Sequence, residues 1–207
     1  SSKYKAKLIF EVRDIWPLSL IELGGFKKSN PFVWILQKTE NFAYKNSDYV
    51  VSVLPFAFDH MKNHHLDLDR FRYIPNGIEI KKAVNKPVQN TIFKVGYAGT
   101  IGIANALDYL MQASLILKNE NIEFHLLGGG PEKNRLMQYV ESHALDKVVF
   151  HDSVSKDEVP LFLEKMDVLF IGWHNSSLYR FGISANKIFD YLHASKPIIN
   201  SSGAKNK

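Results

Sequence analysis

From Phe93 onward the chain alternates short apolar runs with longer stretches of helical spacing. Residues 93–98 read as a strand, ended by Gly99-Thr100-Ile101-Gly102. Over 104–118, Leu107, Leu110, Met111, Ser114 and Leu117 fall on one face, which predicts an amphipathic helix. The same order then repeats: a strand over 123–127 closed by Gly128-Gly129-Gly130-Pro131, a helix over 132–143, a strand over 148–151, a helix over 157–165 and a nearly all-apolar strand over 168–172. A loop, a helix and a last strand over 197–200 follow. Such alternation predicts right-handed crossovers and a parallel sheet covered on both faces, hence an α/β fold. The glycines stand where strands end, at the carboxyl edge on which open α/β sheets bind ligands.

The first part is less regular. Strands are expected over 7–12, 49–54 and 72–74, with helices over 31–45 and 56–63. The last of these strands stops at Pro75-Asn76-Gly77, a turn signal. Residues 79–91, with Lys81, Lys82, Lys86 and Pro87, read as a linker, so the expected domains are 1–78 and 92–207.

Composition narrows the function classes. The chain has no cysteine, which excludes disulfides and thiolate metal sites and fits a reducing compartment. No apolar run approaches the roughly 18 residues needed to span a membrane. The formal charge is +5, with 11 basic against 8 acidic residues up to Ile78 and 15 against 13 after it. The excess is spread, whereas nucleic-acid binding needs a clustered basic face. No nucleic-acid partner is therefore expected. Anionic nucleotides suit a mildly basic chain, as does a peripheral contact with anionic lipid at the inner face of a membrane.

The most informative stretch is 179–197. A small polar loop carries Arg180, Gly182, Ser184, Asn186 and Lys187 and runs into an apolar helical segment bearing Asp190. A helix start favours anions through unpaired N–H groups and the dipole. An Arg and a Lys there suit a diphosphate. Asp190, one turn beyond Lys187, shares its face and can accept from ribose hydroxyls.

Four segments occur in an order that resembles a known family: Tyr73-Ile-Pro-Asn-Gly-Ile78, Val95-Gly-Tyr-Ala-Gly-Thr-Ile-Gly102, Leu126-Leu-Gly-Gly-Gly-Pro-Glu-Lys133 and 182–197. Together they resemble retaining glycosyltransferases of the GT-B fold, in the group of bacterial polysaccharide transferases. The segments Phe10-Glu-Val-Arg-Asp-Ile-Trp-Pro-Leu18 and Tyr179-Arg-Phe-Gly-Ile-Ser-Ala-Asn-Lys187 are similar to O-antigen and capsule transferases of the fucosamine-transferase type. The resemblance implies two Rossmann-like domains, both incomplete here: 1–78 as the later portion of an acceptor-side domain and 92–207 as the sugar-nucleotide domain. It implies that Gly99 and Thr100 lie beside the diphosphate and that Gly130 approaches base or ribose. Lys187 would contact phosphate, Asp190 ribose, and Arg13 and Asp14 would stand near the transferred sugar. Transfer of a hexose, N-acetylated or deoxy, from a UDP-sugar to a polysaccharide or lipid-linked acceptor is the implied activity, cytoplasmic and without a metal or other cofactor.

The chain departs from that pattern. Gly182 stands where the family carries the first of two glutamates. Of the Arg and Lys of the first glycine loop, Thr100 falls near one and Ala104 or Asn105 near the other, so Arg180 and Lys187 would have to supply the charge.

Other readings stay open from residues alone. Arg180 and Lys187 are compatible with ordinary surface charge, Asp190 with a solvated helix position, and Gly128 to Gly130 with a strand end. Arg13 and Asp14 also suit a structural ion pair. His60 and His64 share a helical face without a His-Glu-x-x-His pattern, so solvated histidines are expected there, not a metal site. Trp16, Phe26, Phe32 and Trp34 suit core packing better than a lipid-facing patch near Lys27 and Lys28. Two functional alternatives share the fold: a sugar-nucleotide 2-epimerase and a non-catalytic nucleotide-binding module.

Overall fold

A computed structural model describes residues 4–78 and 91–201; the linker read over 79–91 falls outside them but for its last residue. The described residues form two compact units. One takes the chain up to Asn76 together with Asn175–Ser184; the other takes Gly77–His174 and the chain from Ala185.

The first unit holds a parallel sheet of β1 (Ile9–Val12), β2 (Tyr49–Ser52) and β3 (Phe71–Tyr73), in that order. Helices α1 (Leu18–Glu22) and α2 (Pro31–Asn46) connect the first two strands. Helix α3 (Phe58–Met61) continues as a tighter 3-10 turn, Lys62–His64. Asn30 fixes the start of α2: its side chain accepts from the Phe32 N–H at 2.9 Å, and Pro31 occupies the first helical position. The core gathers Val12, Ile15, Tyr44, Val50, Met61 and Leu66 around Phe181. Phe181 arrives from far along the chain, and its carbonyl accepts from the Phe56 N–H at 3.0 Å.

Two expectations fail in this unit. Trp16, Phe26, Phe32 and Trp34 are not core residues: they are 48%, 39%, 50% and 58% exposed. Helix α2 instead buries Val33, Glu40 and Tyr44, a stripe that leaves Phe32 and Trp34 outside it. The Lys38 ammonium lies 3.7 Å from the Trp34 ring centre. The histidines are not solvated either. The His60 side chain is only 10% exposed and sits 3.1 Å from Glu40 Oε1. Burial and the neighbouring His60 push His64 below the ordinary imidazole range.

The second unit is a five-stranded parallel sheet in the order β6-β5-β4-β7-β8. Its strands are β4 (Phe93–Ala98), β5 (Ile122–Leu127), β6 (Val148–His151), β7 (Val168–Gly172) and β8 (Ile198–Ser201). The first strand in sequence, β4, is central, with later strands added first on one side and then on the other: a doubly wound, Rossmann-like arrangement. Period-two alternation serves both faces. Val95, Tyr97, Phe124, Leu126 and Phe170 join the cluster that includes Leu110 and Met111 of α4 (Leu107–Ile116) and Leu136 of α5 (Lys133–Ser142). Ala98, Leu127, Leu169 and Ile171 join Leu163 of α6 (Val159–Glu164) and Tyr191 of α7 (Asn186–His193). Among the described residues no helix is long and apolar enough to cross a membrane.

Leu126 has no exposed surface, whereas Ile116 is 81% exposed. Leu126→Ala should cost about 2–5 kcal/mol in denaturant unfolding. Ile116→Ala should stay within about 0.5 kcal/mol.

Candidate functional site

At the carboxyl edge of the second unit, β4 and its neighbours part. The β4–β5 register runs to Ala98↔Leu127, but the β4–β7 register stops at Gly96↔Leu169. This is the topological switch point, where later strands leave in opposite directions and a crevice opens. Tyr191 closes its floor: its hydroxyl accepts from the Ala98 N–H at 2.7 Å and donates to the Ala98 carbonyl at 3.2 Å. A buried strand end is thus satisfied by a side chain from α7.

Two glycine loops form the wall. The Gly99 N–H donates to the Leu127 carbonyl at 3.0 Å, and the Ile101 N–H to Gly129 at 2.8 Å. A Cβ on Gly128 would lie 2.0 Å from the Gly99 oxygen, and one on Gly130 2.3 Å from the Ile101 oxygen. Both glycines also have positive φ, 141° and 149°. The run does more than end a strand, because any side chain at either position would drive the two loops apart.

The resulting cleft, about 340 Å³, is lined by Gly99, Thr100, Gly128, Gly129, Ser153, Val154, Lys187, Asp190 and Tyr191, among others. That lies within the roughly 300–1,000 Å³ of ordinary small-molecule sites. Val159 and Asp190 also line a neighbouring cleft of about 830 Å³.

Lys187 is the site's cation. Its ammonium donates to the Tyr97 hydroxyl at 2.8 Å and the Asn105 Oδ1 at 2.6 Å, leaving one of three hydrogens for a guest. The Tyr97 hydroxyl passes a bond of 2.6 Å to the Thr100 carbonyl, which also accepts from Asn105 Nδ2 at 2.9 Å. One network therefore fixes the amine and the 99–105 loop together. Among the described residues no carboxylate lies within ion-pair distance of Lys187. Burial pushes its amine down to about 8. It also pushes the Tyr97 and Tyr191 hydroxyls above the usual phenol range, so both stay protonated. Lys187 stands in the first turn of α7, which has no acidic residue and no side-chain cap. A partly desolvated cation on an uncapped helix start has the chemistry to attract an anion.

The structure brings Gly99, Thr100, Asn105, Lys187 and Asp190 together, with Gly130 bracing the loop and Asn186 opening α7. It does not keep the 179–197 stretch in one piece. Arg180, Gly182 and Ser184 belong to the first unit, Asn186 onward to the second. Far from being a polar loop, 177–181 is a 3-10 turn that buries Leu178 and Phe181. The Arg180 guanidinium donates to the Ser177 carbonyl at 2.7 Å and lies over the Phe181 ring. Ser184 accepts from Asn76 Nδ2 through its carbonyl at 2.9 Å and its hydroxyl at 3.2 Å. Gly182 has φ 96°, a backbone that a glutamate adopts only with strain. Arg13 and Asp14 follow β1 at its carboxyl end, both exposed. Arg13 has Glu11 as its ion-pair partner, at 4.0 Å, a surface contact of little weight.

Tyr97, Tyr191, Ser153 and Val154 were not singled out from the sequence. Tyr191 carried a signal, since it lies four residues beyond Lys187 on one helical face. Ser153 and Val154 carried none beyond following a strand.

Residues 92–206 match the family model described as glycosyl transferases group 1. The match spans more than half of the chain, and the chain belongs to this family. No curated protein matches it in sequence. Among solved structures, Anabaena HepE in complex with UDP is 16% identical, with a TM-score of 0.71 over 99% of this chain and 55% of HepE. A mutant of S. aureus TarM, in complex with fondaparinux, α-GlcNAc-glycerol and UDP, is 17% identical, with a TM-score of 0.63 over 87% of this chain and 36% of TarM. The pneumococcal O-GlcNAc transferase GtfA, in complex with UDP and GlcNAc, is 12% identical, with a TM-score of 0.60 over 80% of this chain and 33% of GtfA. At such identities the likeness is one of fold, which is of the GT-B type with Rossmann-like parallel sheets. The chain spans between a third and just over half of the length of these proteins.

Gly128→Ala should cost roughly 3 kcal/mol or more, through strain and the clash with Gly99. Gly77→Ala, with nothing within 4 Å of its Cβ, should be near neutral in the same unfolding assay. Tyr191→Phe should cost about 1–3 kcal/mol by leaving the Ala98 N–H unpaired.

Proposed function

We propose that this protein is a glycosyltransferase that moves a hexose, N-acetylated or deoxy, from a UDP-sugar to a surface-polysaccharide or lipid-linked acceptor. The observation that carries this reading is Lys187: a partly buried ammonium with no carboxylate within ion-pair distance among the described residues, in the first turn of α7, inside a cleft walled by glycine backbone. Family membership and the UDP present in HepE, TarM and GtfA support the choice of donor.

In transfer, the bond between the anomeric carbon and the diphosphate oxygen breaks. A new bond forms to an acceptor hydroxyl, whose proton is lost. The departing diphosphate gathers negative charge, and Lys187 with the α7 N–H groups stabilises it by preorganised electrostatics. Neither a metal nor a cofactor is needed for that step. The backbone of Gly99 and Thr100 lies beside the diphosphate. Asp190 accepts from ribose hydroxyls, and the loop containing Gly130 approaches the base. In the first unit, Arg13 and Asp14 are assigned to the acceptor side, near the transferred sugar. Retention of configuration follows the family resemblance. We place the protein in the cytoplasm at the inner face of a membrane, a location supported by the exposed Trp16, Phe26, Phe32 and Trp34 beside Lys27 and Lys28 in sequence.

A second reading, a non-catalytic nucleotide-binding module, is favoured by Gly182. A chain that binds UDP but neither hydrolyses nor transfers from any UDP-sugar would support it.

Isothermal titration with UDP tests the site. Lys187→Ala should weaken binding roughly 10–100-fold, the loss of one charge-assisted bond of about 1.5–3 kcal/mol. Undiminished binding in that variant would sink the assignment. The same titration has an expected pH profile. The protonated amine is the binding form and its pKa is about 8. Affinity should be flat below that pH and fall by up to roughly tenfold per unit above it, until the raised pKa of the complex is reached. Lys187→Ala should flatten the fall.

A further inference from the structure

The first unit contains a polar cluster that the transfer reaction does not use. Among the described residues, Glu40, His60 and His64 each offer a ligand atom, and these atoms all lie within 4.8 Å of one another. Glu40 is supplied by α2, and the two histidines by the segment Phe58–His64. The imidazoles, four residues apart, are tilted by 32° with ring centroids 4.3 Å apart. Glu40 is 7% exposed and the His60 side chain 10%.

The hydrogen bonding there does not close. Three acceptor-type atoms converge on one amide nitrogen, Gln37 Nε2: Glu40 Oε2 at 2.5 Å, Asn41 Oδ1 at 3.0 Å and His64 Nδ1 at 2.9 Å. An amide nitrogen has two hydrogens and cannot serve all three. Turning the amide over would set its oxygen against the carboxylate. His64 Nδ1 also lies 3.0 Å from Asn41 Oδ1, a pair that needs a hydrogen on Nδ1, and that hydrogen would then face the Gln37 donor. No placement of hydrogens satisfies every close pair. Glu40 and His64 thus compete for one amide donor, which leaves electron pairs on both available to a cation.

We propose that Glu40, His60 and His64 form a structural site for a first-row divalent cation of the zinc class, which ties α2 to the α3 segment. Two imidazoles and one carboxylate are a borderline donor set suited to Zn(II), whereas magnesium and calcium require mainly oxygen. The Tyr44 hydroxyl, donating to Glu40 Oε1 at 2.8 Å, is the outer partner that orients the carboxylate. The site is built inside the first unit and takes no part in diphosphate binding.

The chain, stripped with EDTA and dialysed, is titrated at neutral pH with ZnCl2 by calorimetry and with CoCl2 by visible absorption. One equivalent of zinc should bind, with cobalt bands typical of low-symmetry nitrogen and oxygen ligation. His60→Gln and His64→Gln should each weaken zinc binding by about tenfold or more. His151→Gln, which alters the other close histidine pair, His125–His151, should leave it unchanged. The proposal is overturned if zinc fails to bind at concentrations on the order of 100 μM, a level at which any useful site raises the thermal midpoint. It is overturned equally if both variants bind as the parent does, or if His151→Gln removes binding instead. Should a histidine variant not fold, the midpoint of the unaltered chain decides: a rise with ZnCl2 but not MgCl2 is expected, and no rise overturns the site.

Discussion

The site depends on how closely two backbones approach. The loops after β4 and β5 are joined by hydrogen bonds, with the Gly99 N–H on Leu127 and the Ile101 N–H on Gly129. The space where side chains would stand at Gly128 and Gly130 is filled by the carbonyls of Gly99 and Ile101. That approach holds the 99–105 loop against the switch point, and with it Thr100 and Asn105. Asn105 and Tyr97 then hold the amine of Lys187. Backbone geometry comes first in this chain of dependence, and charge is placed on top of it.

Lys187 shows how a group suited to hold an anion detracts from stability. Its charge is partly buried with no carboxylate within ion-pair distance among the described residues to offset desolvation, and its amine is correspondingly easier to deprotonate. A carboxylate partner would stabilise the empty protein and weaken its hold on any anion. The neutral oxygens of Tyr97 and Asn105 fix the ammonium in position while leaving its charge available. Tyr191 has the opposite role. It satisfies both polar groups of Ala98 where β4 and β7 part, so the crevice can open without an unpaired strand end.

Membership of the glycosyl transferase group 1 family, alongside identities of only 12–17% to HepE, TarM and GtfA, fits this division of labour. Apolar alternation and a few glycine positions suffice for the fold, so most side chains are free to change. At Gly182, with φ 96°, the backbone suits glycine and strains a glutamate. The apolar faces tell a similar story, since Phe32 and Trp34 lie outside the stripe Val33, Glu40 and Tyr44 that α2 buries.

By itself the sequence determined the parallel α/β class and most of the strand ends, because those follow from periods of two and 3.6 and from glycine, all local properties. It also marked Lys187 and Asp190, one turn apart on a helix that opens without a cap. Tertiary structure alone decided the rest. It assigned 175–184 and the helix after it to different compact units, since Phe181 is consumed by a core built from residues more than a hundred positions earlier. It placed Tyr97 and Asn105 in one network with Lys187, and Glu40 beside the His60–His64 pair, across separations no periodicity can register. Contacts of that kind are set by which strands lie side by side, and strand order is a property of the folded sheet.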